Sequence, residues 1–401
     1  MRAAPYWLLV LVLLGSAACL RPPPGISDHE PWTAQTALKA VSAPPLGLIE
    51  DAEALKSALG TSLDYYRALP PDAPFRYGPD LYLARELGDF LAEVLSRLEA
   101  LGAGQEFTNY LAGAARFYES TAPRVLVTGY YEIRLDGSRT FSPEYPHPVY
   151  RKPPDLLRIP LKPFLPGAHR PELPELLRAR LTGEMAAVPY HSRRDIDRLG
   201  ALRDKGLEIC WIRDPYRLFF LHIQGSGIVQ FEDGSELNLN YADSNGHPYR
   251  SIGRTLIDGY GVDPNSLSMQ GIYGFLKDNP LLADEVMDTN PSYVFFRVVD
   301  KGPIGSLGRP LTPKCSIATD SRLFPKGALA LMEAELPQFD SLGKPKAWLP
   351  WRGLVLNQDT GGAIRGPGRV DWFIGSDEAG ERTAGHLKQP GRLFFLAPRK
   401  R

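Results

Sequence analysis

Leu356-Asn-Gln-Asp359-Thr-Gly-Gly-Ala-Ile-Arg-Gly366, followed after Pro367-Gly368 by Arg369-Val-Asp371-Trp-Phe373, is the stretch that decides how this chain is read. An apolar run ends in a polar Asp-Thr-Gly-Gly turn, and a second apolar run starts soon after it. Short strands separated by Gly/Pro turns point to a small β-barrel rather than an open parallel sheet. Asp371 stands inside the second run. Strand alternation sends Val370 and Trp372 to one face, Asp371 and Phe373 to the other. A carboxylate beside aromatics in a partly dry groove has its pKa raised, as a general acid requires. The competing explanation is an Asp that caps a turn or pairs with Arg369.

The same signals extend in both directions. Residues 293–299, 316–319, 354–356, 370–374 and 393–396 read as short strands. Upstream, 207–212 and 218–223 read as strands on either side of a turn at Asp214-Pro215-Tyr216-Arg217. Residues 228–231 and 237–241 flank Glu232-Asp233-Gly234 as a hairpin. Helical patterning is expected within 251–287. It is also expected where Leu83, Leu87, Phe90, Leu91, Val94, Leu98 and Leu101 share one 3.6-period face that ends at Gly102 and Gly104. Phe107, Tyr110, Leu111, Ala114 and Phe117 continue that stripe as a second helix.

At 401 residues the chain has room for two domains, and 43% hydrophobic with 23% charged residues is a globular composition. Lys+Arg and Asp+Glu number 46 each, so binding to nucleic acid driven by counterion release is not expected. The 38 prolines favour loops and strands over a long helical bundle. Residues 1–18 have the form of an export signal: Arg2, an apolar run over 7–14 too short to span a bilayer, then small residues. Cys19 after Ser16-Ala-Ala resembles the lipobox of bacterial lipoproteins. Residues 19–48 are Pro-rich and read as a tether. Cys210 and Cys315 lie in apolar runs and read as free buried thiols.

Neither H-E-x-x-H nor C-x-x-C occurs, so no metal is expected. Gln224-Gly-Ser-Gly227 lacks both the nucleophile-elbow spacing and the Lys of a P-loop. It is either a tight turn or a bare-backbone loop that a flat polar ligand can approach. Asp359-Thr-Gly is shared with aspartic proteases, which need two such carboxylates. This chain has one copy, followed by another Gly.

Several longer motifs carry a more specific likeness. The run from Asp359 to Leu396, with Gly361-Gly-Ala-Ile-Arg-Gly366, Asp371 and Ala384-Gly385, resembles a three-aspartate domain, with Asp320 in Ser316-Ile-Ala-Thr-Asp320-Ser-Arg-Leu-Phe-Pro325-Lys-Gly327 as the third aspartate. Val127-Thr-Gly-Tyr-Tyr-Glu132, Gln224-Gly-Ser-Gly227, Ser244-Asn-Gly-His247-Pro-Tyr-Arg-Ser-Ile-Gly253 and Asn290-Pro-Ser-Tyr-Val-Phe-Phe296 resemble the membrane-bound lytic murein transglycosylase A family, in that family's order. Ile133, where Pro is usual, and Asp377, in a segment usually richer in glycine, depart from the pattern.

The resemblance implies a mainly β fold with flanking helices. A double-psi β-barrel would be built from 49–143 and 291–398, with a second β-domain inserted at 144–290 and a glycan groove between them. It implies cleavage of the β-1,4 bond between N-acetylmuramic acid and N-acetylglucosamine in peptidoglycan, without cofactor, with Asp371 as the single acid and base. Thr128, Tyr130, Tyr131, Gln224 and Ser226 become candidate sugar contacts, the Tyr rings as stacking faces. Asp359, Gly361 and Gly362 would shape the cleft, and Asp320 would be structural. The expected location is the periplasmic side of an outer membrane, anchored through lipid on Cys19. The expected partners are peptidoglycan strands, with cell-wall synthesis or division proteins as further candidates. A two-carboxylate hydrolase and a non-catalytic glycan-binding lipoprotein are the alternatives.

Overall fold

A computed structural model describes residues 32–47, 49–164, 176–264 and 267–400; Cys19 and the expected export signal lie outside them. The fold begins inside the stretch expected as tether. β1 (Leu38–Val41) pairs antiparallel with a later strand, and Ala37 and Leu38 are buried, so this part of 19–48 is folded. α1 (Ala52–Arg67) starts where the Asp51 carboxylate accepts the Ala54 N–H at 2.9 Å, satisfying one donor left over at the helix start. Its Leu55, Leu59, Leu63 and Tyr66 form the buried stripe. The hairpin β2 (Pro74–Tyr77) and β3 (Asp80–Leu83) leads to α2 (Ala84–Leu101), which stops at Gly102 in a left-handed φ of 71°. α3 (Gln105–Ala114) is shorter than the stripe suggested. Phe117 instead belongs to β4 (Ala115–Ser120), held between β1 and the final strand of the fold.

After β5 (Val125–Tyr131) the chain leaves the first sheet. It runs through β6 (Ile133–Ser138), β7 (His147–Tyr150), β8 (Leu157–Pro160), β9 (Leu176–Leu181), β10 (Ala187–Pro189), α4 (Arg193–Asp197) and β11 (Glu208–Ile212). Residues 218–223, expected as a strand, are the body of α5 (Pro215–Gln224). The Asp-Pro pair read as a turn is a helix start: the Asp214 carboxylate accepts the N–H groups of Tyr216 and Arg217, and Pro215 occupies the first helical position. Gly225, with φ 79°, ends the helix. Then come β12 (Ser226–Phe231), β13 (Glu236–Ser244), α6 (Ile252–Tyr260), α7 (Met269–Asp278), α8 (Pro280–Asp288) and β14 (Val294–Val299). β6, β7 and β11–β14 make a six-stranded sheet in the order β14-β13-β12-β6-β11-β7, and β8–β10 form a small sheet of their own.

The chain then returns to the first sheet with β15 (Ser316–Ala318), β16 (Leu329–Phe339), β17 (Pro345–Asp359), β18 (Arg369–Gly375), α9 (Glu378–His386) and β19 (Lys388–Pro398). The strand expected at 354–356 is the end of the fifteen-residue β17, which pairs along its length with β16, a strand the sequence patterning did not indicate. The order β19-β16-β17-β15-β18-β5, with β5 pairing back onto β19, closes six strands into a barrel. One core fills it with Ile317, Leu331, Val355, Val370, Trp372 and Phe395, and runs out under α1 and α2 and into the base of the second sheet. Gly129 lets α9 lie against β5: a Cβ there would stand 2.8 Å from the Ala384 Cα. Cys210 in the second sheet and Cys315 in the barrel are free and buried, and burial pushes each thiol up to about 12.

Candidate functional site

Barrel closure sets four residues in a row. Asp359 at the end of β17 is level with Ala318 of β15, Ala318 with Asp371 of β18, and Asp371 with Thr128 of β5. Residues level with one another across a sheet project to the same face, so the two aspartates point the same way from strands roughly 10 Å apart. On β5, alternation puts Thr128 and Tyr130 on one face, and each serves one aspartate. The Thr128 hydroxyl donates to Asp371 Oδ1 at 2.7 Å, and the Tyr130 hydroxyl donates to Asp359 Oδ2 at 2.9 Å. Residues 243 positions apart in the chain thus share a hydrogen bond.

The two carboxylates are used differently. Both oxygens of Asp359 are occupied: Oδ2 by Tyr130, Oδ1 by the Ser306 N–H at 2.9 Å. Burial pushes its pKa up to about 6, against the Thr360 and Ser306 N–H groups and Tyr130, which favour the charged form; the Asp371 charge adds to the rise. Asp371 is half-buried. Desolvation raises its pKa above the ordinary carboxylate value, while the Thr128 hydrogen bond and the Arg369 charge oppose the rise. Among the described residues, Asp371 Oδ2 has no hydrogen-bond partner. It is the one carboxylate oxygen of the pair open to a ligand. Phe373, on the Asp371 face of β18, packs on the Tyr130 ring at 5.3 Å and joins Leu311 and Ala318 in a small apolar cluster beside the pair.

The remaining candidates separate by burial. Tyr131 is 2% exposed, so its ring is core and offers no stacking face. Tyr130, also buried, acts through its hydroxyl on Asp359 rather than through its ring. Gln224, at the end of α5, accepts the Tyr131 backbone N–H at 3.1 Å and so ties the second sheet to the barrel strand that carries Thr128. Ser226 is buried at the start of β12. Gly361 closes a turn in which the Ile364 N–H donates to its carbonyl at 3.1 Å, whereas Gly362 is exposed and nothing crowds it. Asp320 is wholly buried and holds the end of the same loop: it accepts the Gly366 N–H at 2.9 Å and two Arg322 side-chain N–H groups at 2.9 and 2.7 Å. Nothing in the residue pattern points to the Ser306 N–H as a partner of Asp359, because a backbone donor in a loop leaves no mark in residue type. No three His, Cys, Asp or Glu side chains among the described residues are grouped to hold a metal ion.

A general acid must hold its proton at working pH, so the bond from Thr128 limits the pH range of an acid at Asp371. Thr128→Val removes a donor that favours the carboxylate, and the Asp371 pKa rises. The alkaline limb of a kcat/KM profile is expected to move to higher pH, by about one unit for a lost hydrogen bond to a charged group. An unmoved limb shows that Asp371 does not control it.

Residues 126–297 match the MltA specific insert domain and residues 315–397 match the 3D domain. Membrane-bound lytic murein transglycosylase A of Escherichia coli K12 is 34% identical over 276 residues, which span 68% of this chain and 65% of that protein. The crystal structure of a membrane-bound lytic murein transglycosylase from Agrobacterium tumefaciens is 32% identical, with a TM-score of 0.73 over 90% of this chain and 98% of that one. The crystal structure of E. coli MltA with bound chitohexaose is 25% identical, with a TM-score of 0.67 over 91% and 95%. With its insert and three-aspartate segments in that order on the same fold, this chain belongs to the MltA family of membrane-bound lytic murein transglycosylases.

Proposed function

We propose that this chain cleaves the β-1,4 bond between N-acetylmuramic acid and N-acetylglucosamine in peptidoglycan and leaves a 1,6-anhydromuramic end. One observation carries the mechanism: Asp371 keeps an open oxygen, while both oxygens of Asp359 are held by protein groups. Protonated Asp371 donates to the leaving glycosidic oxygen as the C1–O bond breaks, leaving oxocarbenium character at the muramic C1. The carboxylate so formed takes the proton from that sugar's O6 hydroxyl, and O6 bonds to C1. The proton count returns to its start and no water enters. A nucleophile within the substrate has a high effective concentration, so a single carboxyl suffices. Conventional glycosidases use a pair, and Asp359, with its oxygens engaged, is poorly placed to activate water.

The relatives' names and the chitohexaose complex support a glycan strand as ligand. Pairing of β5 with β18 and β19 supports a barrel drawn from sequence on both sides of an inserted domain, but β6 and β14 belong to the second sheet, so the insert extends past the expected 144–290 at both ends. Digestion of purified murein followed by mass analysis tests the reaction. Products are expected to weigh one water less than hydrolysis products and to resist borohydride reduction at the muramic end. Reducible ends as the primary product would establish a hydrolase, and binding without release of muropeptides a glycan-binding protein. We place the protein in the cell envelope, lipid-anchored at Cys19 and facing the periplasm. A radiolabelled fatty acid is expected to mark the wild type and not Cys19→Ser; equal labelling refutes the anchor.

A further inference from the structure

Thr128 sits between two groups. Arg369 Nη2 lies 3.3 Å from its hydroxyl oxygen, and Asp371 Oδ1 lies 2.7 Å from the same atom. A guanidinium has only donors, and a hydroxyl has one hydrogen to give. Arg369 therefore donates to Thr128, and the Thr128 hydrogen goes to the closer acceptor, Asp371 Oδ1, rather than to the Val370 carbonyl at 3.5 Å. Strand geometry enforces this order: Arg369 and Asp371 are two apart on β18 and share a face, and Thr128 is level with Asp371 on β5.

We propose that Arg369 is a positioning residue that fixes the direction of the Thr128 hydroxyl, so that Oδ1 of Asp371 is always an acceptor and the transferable proton resides on Oδ2. This rests on Asp371 being the acid of the proposed reaction. An oxygen that already accepts a hydrogen bond does not also carry the acidic hydrogen along the same direction, so the proton stays on the oxygen open to the ligand. The other titratable groups facing this unit are Tyr130 on β5 and Asp359 on β17, with Lys388 of β19 level with Thr128 on its far side. β15 contributes only Ala318 at this level.

A double-mutant cycle separates action through Thr128 from a direct effect of the charge. Arg369→Met, which has no donor, is expected to lower kcat about tenfold, with KM for solubilised glycan strands changed by less than about twofold. In a Thr128→Val background the same change is expected to cost less than about twofold, because the hydroxyl it orients is gone. Arg369→Lys, which keeps a donor, is expected to restore part of the loss. Thermal unfolding of each variant checks that the barrel is intact. Equal costs in both backgrounds, or an effect confined to KM, overturn the inference and make Arg369 a substrate contact. Absence of anhydro products from the wild type would instead refute the proposed reaction, a separate outcome read from the same digests.

Discussion

Asp371→Asn is expected to bind glycan strands with wild-type affinity and to cleave them at least about a thousandfold more slowly, since general acid and base steps each contribute about 10²–10⁴. The fold survives because the Asn carbonyl can take the place of Oδ1 and accept the Thr128 hydroxyl at the 2.7 Å position. That choice turns the amide NH₂ toward the open side, where it neither protonates the leaving oxygen nor accepts a proton from O6. Asp359→Asn is a milder lesion: its partners are the Tyr130 hydroxyl and the Ser306 N–H, and an amide oxygen satisfies one of them. Single-turnover cleavage together with glycan binding distinguishes these cases. An Asp371→Asn enzyme within about tenfold of wild type would mean that another group supplies the proton.

The largest loss of stability is expected at Asp320. Asp320→Ala leaves the Gly366 N–H and the Arg322 N–H groups without their acceptor and opens a cavity at a wholly buried position. Arg322 is about half exposed and regains water, so the cost comes mainly from the backbone donors and the cavity, about 2–4 kcal/mol. A urea midpoint at neutral pH measures it. Burial works to raise the Asp320 pKa, but the Arg322 hydrogen bonds and the Gly366 and Arg322 N–H groups hold it below the ordinary carboxylate value. For a folded pKa below the unfolded one, stability from this group is complete above the unfolded value and is lost as pH falls through the folded value. The difference between wild type and Asp320→Ala is therefore expected to shrink below about pH 4. A constant difference across that range would show that the packing, not the charge, matters.

Alternation alone marks Asp371 and Phe373 as sharing a face, because a strand's period is local information. What Asp371 meets on that face is not local. The pairing of β18 with β5 joins residues from opposite sides of the second sheet, and only likeness to a family connected the Thr128 and Asp371 motifs beforehand. The error at 218–223 has a clear physical source: Leu-Phe-Phe-Leu-His-Ile is apolar all round, so neither period stands out, and helix is decided by the ends, Asp214-Pro215 and Gly225. Phe117 fitted a helical stripe by spacing, yet the helix stops at Ala114 and β4 takes over. Tyr130 and Tyr131 looked alike in sequence. Adjacent positions on a strand face opposite ways, and only Tyr130 reaches an aspartate.

Closing the barrel through β5 also has a kinetic side. β5 finds β18 and β19 only after the whole second sheet has been spun out between them, a topology of high contact order in which loop-closure entropy is lost before any pairing returns it. Asp371 and the Thr128 hydroxyl therefore meet only through the pairing of strands that lie on opposite sides of the second sheet in the sequence. A chain in which β5 and β18 have not paired leaves Asp371 without the Thr128 hydroxyl and, on the proposed mechanism, without its acid site. On the proposed mechanism, latency until the barrel closes is a property of the strand order itself.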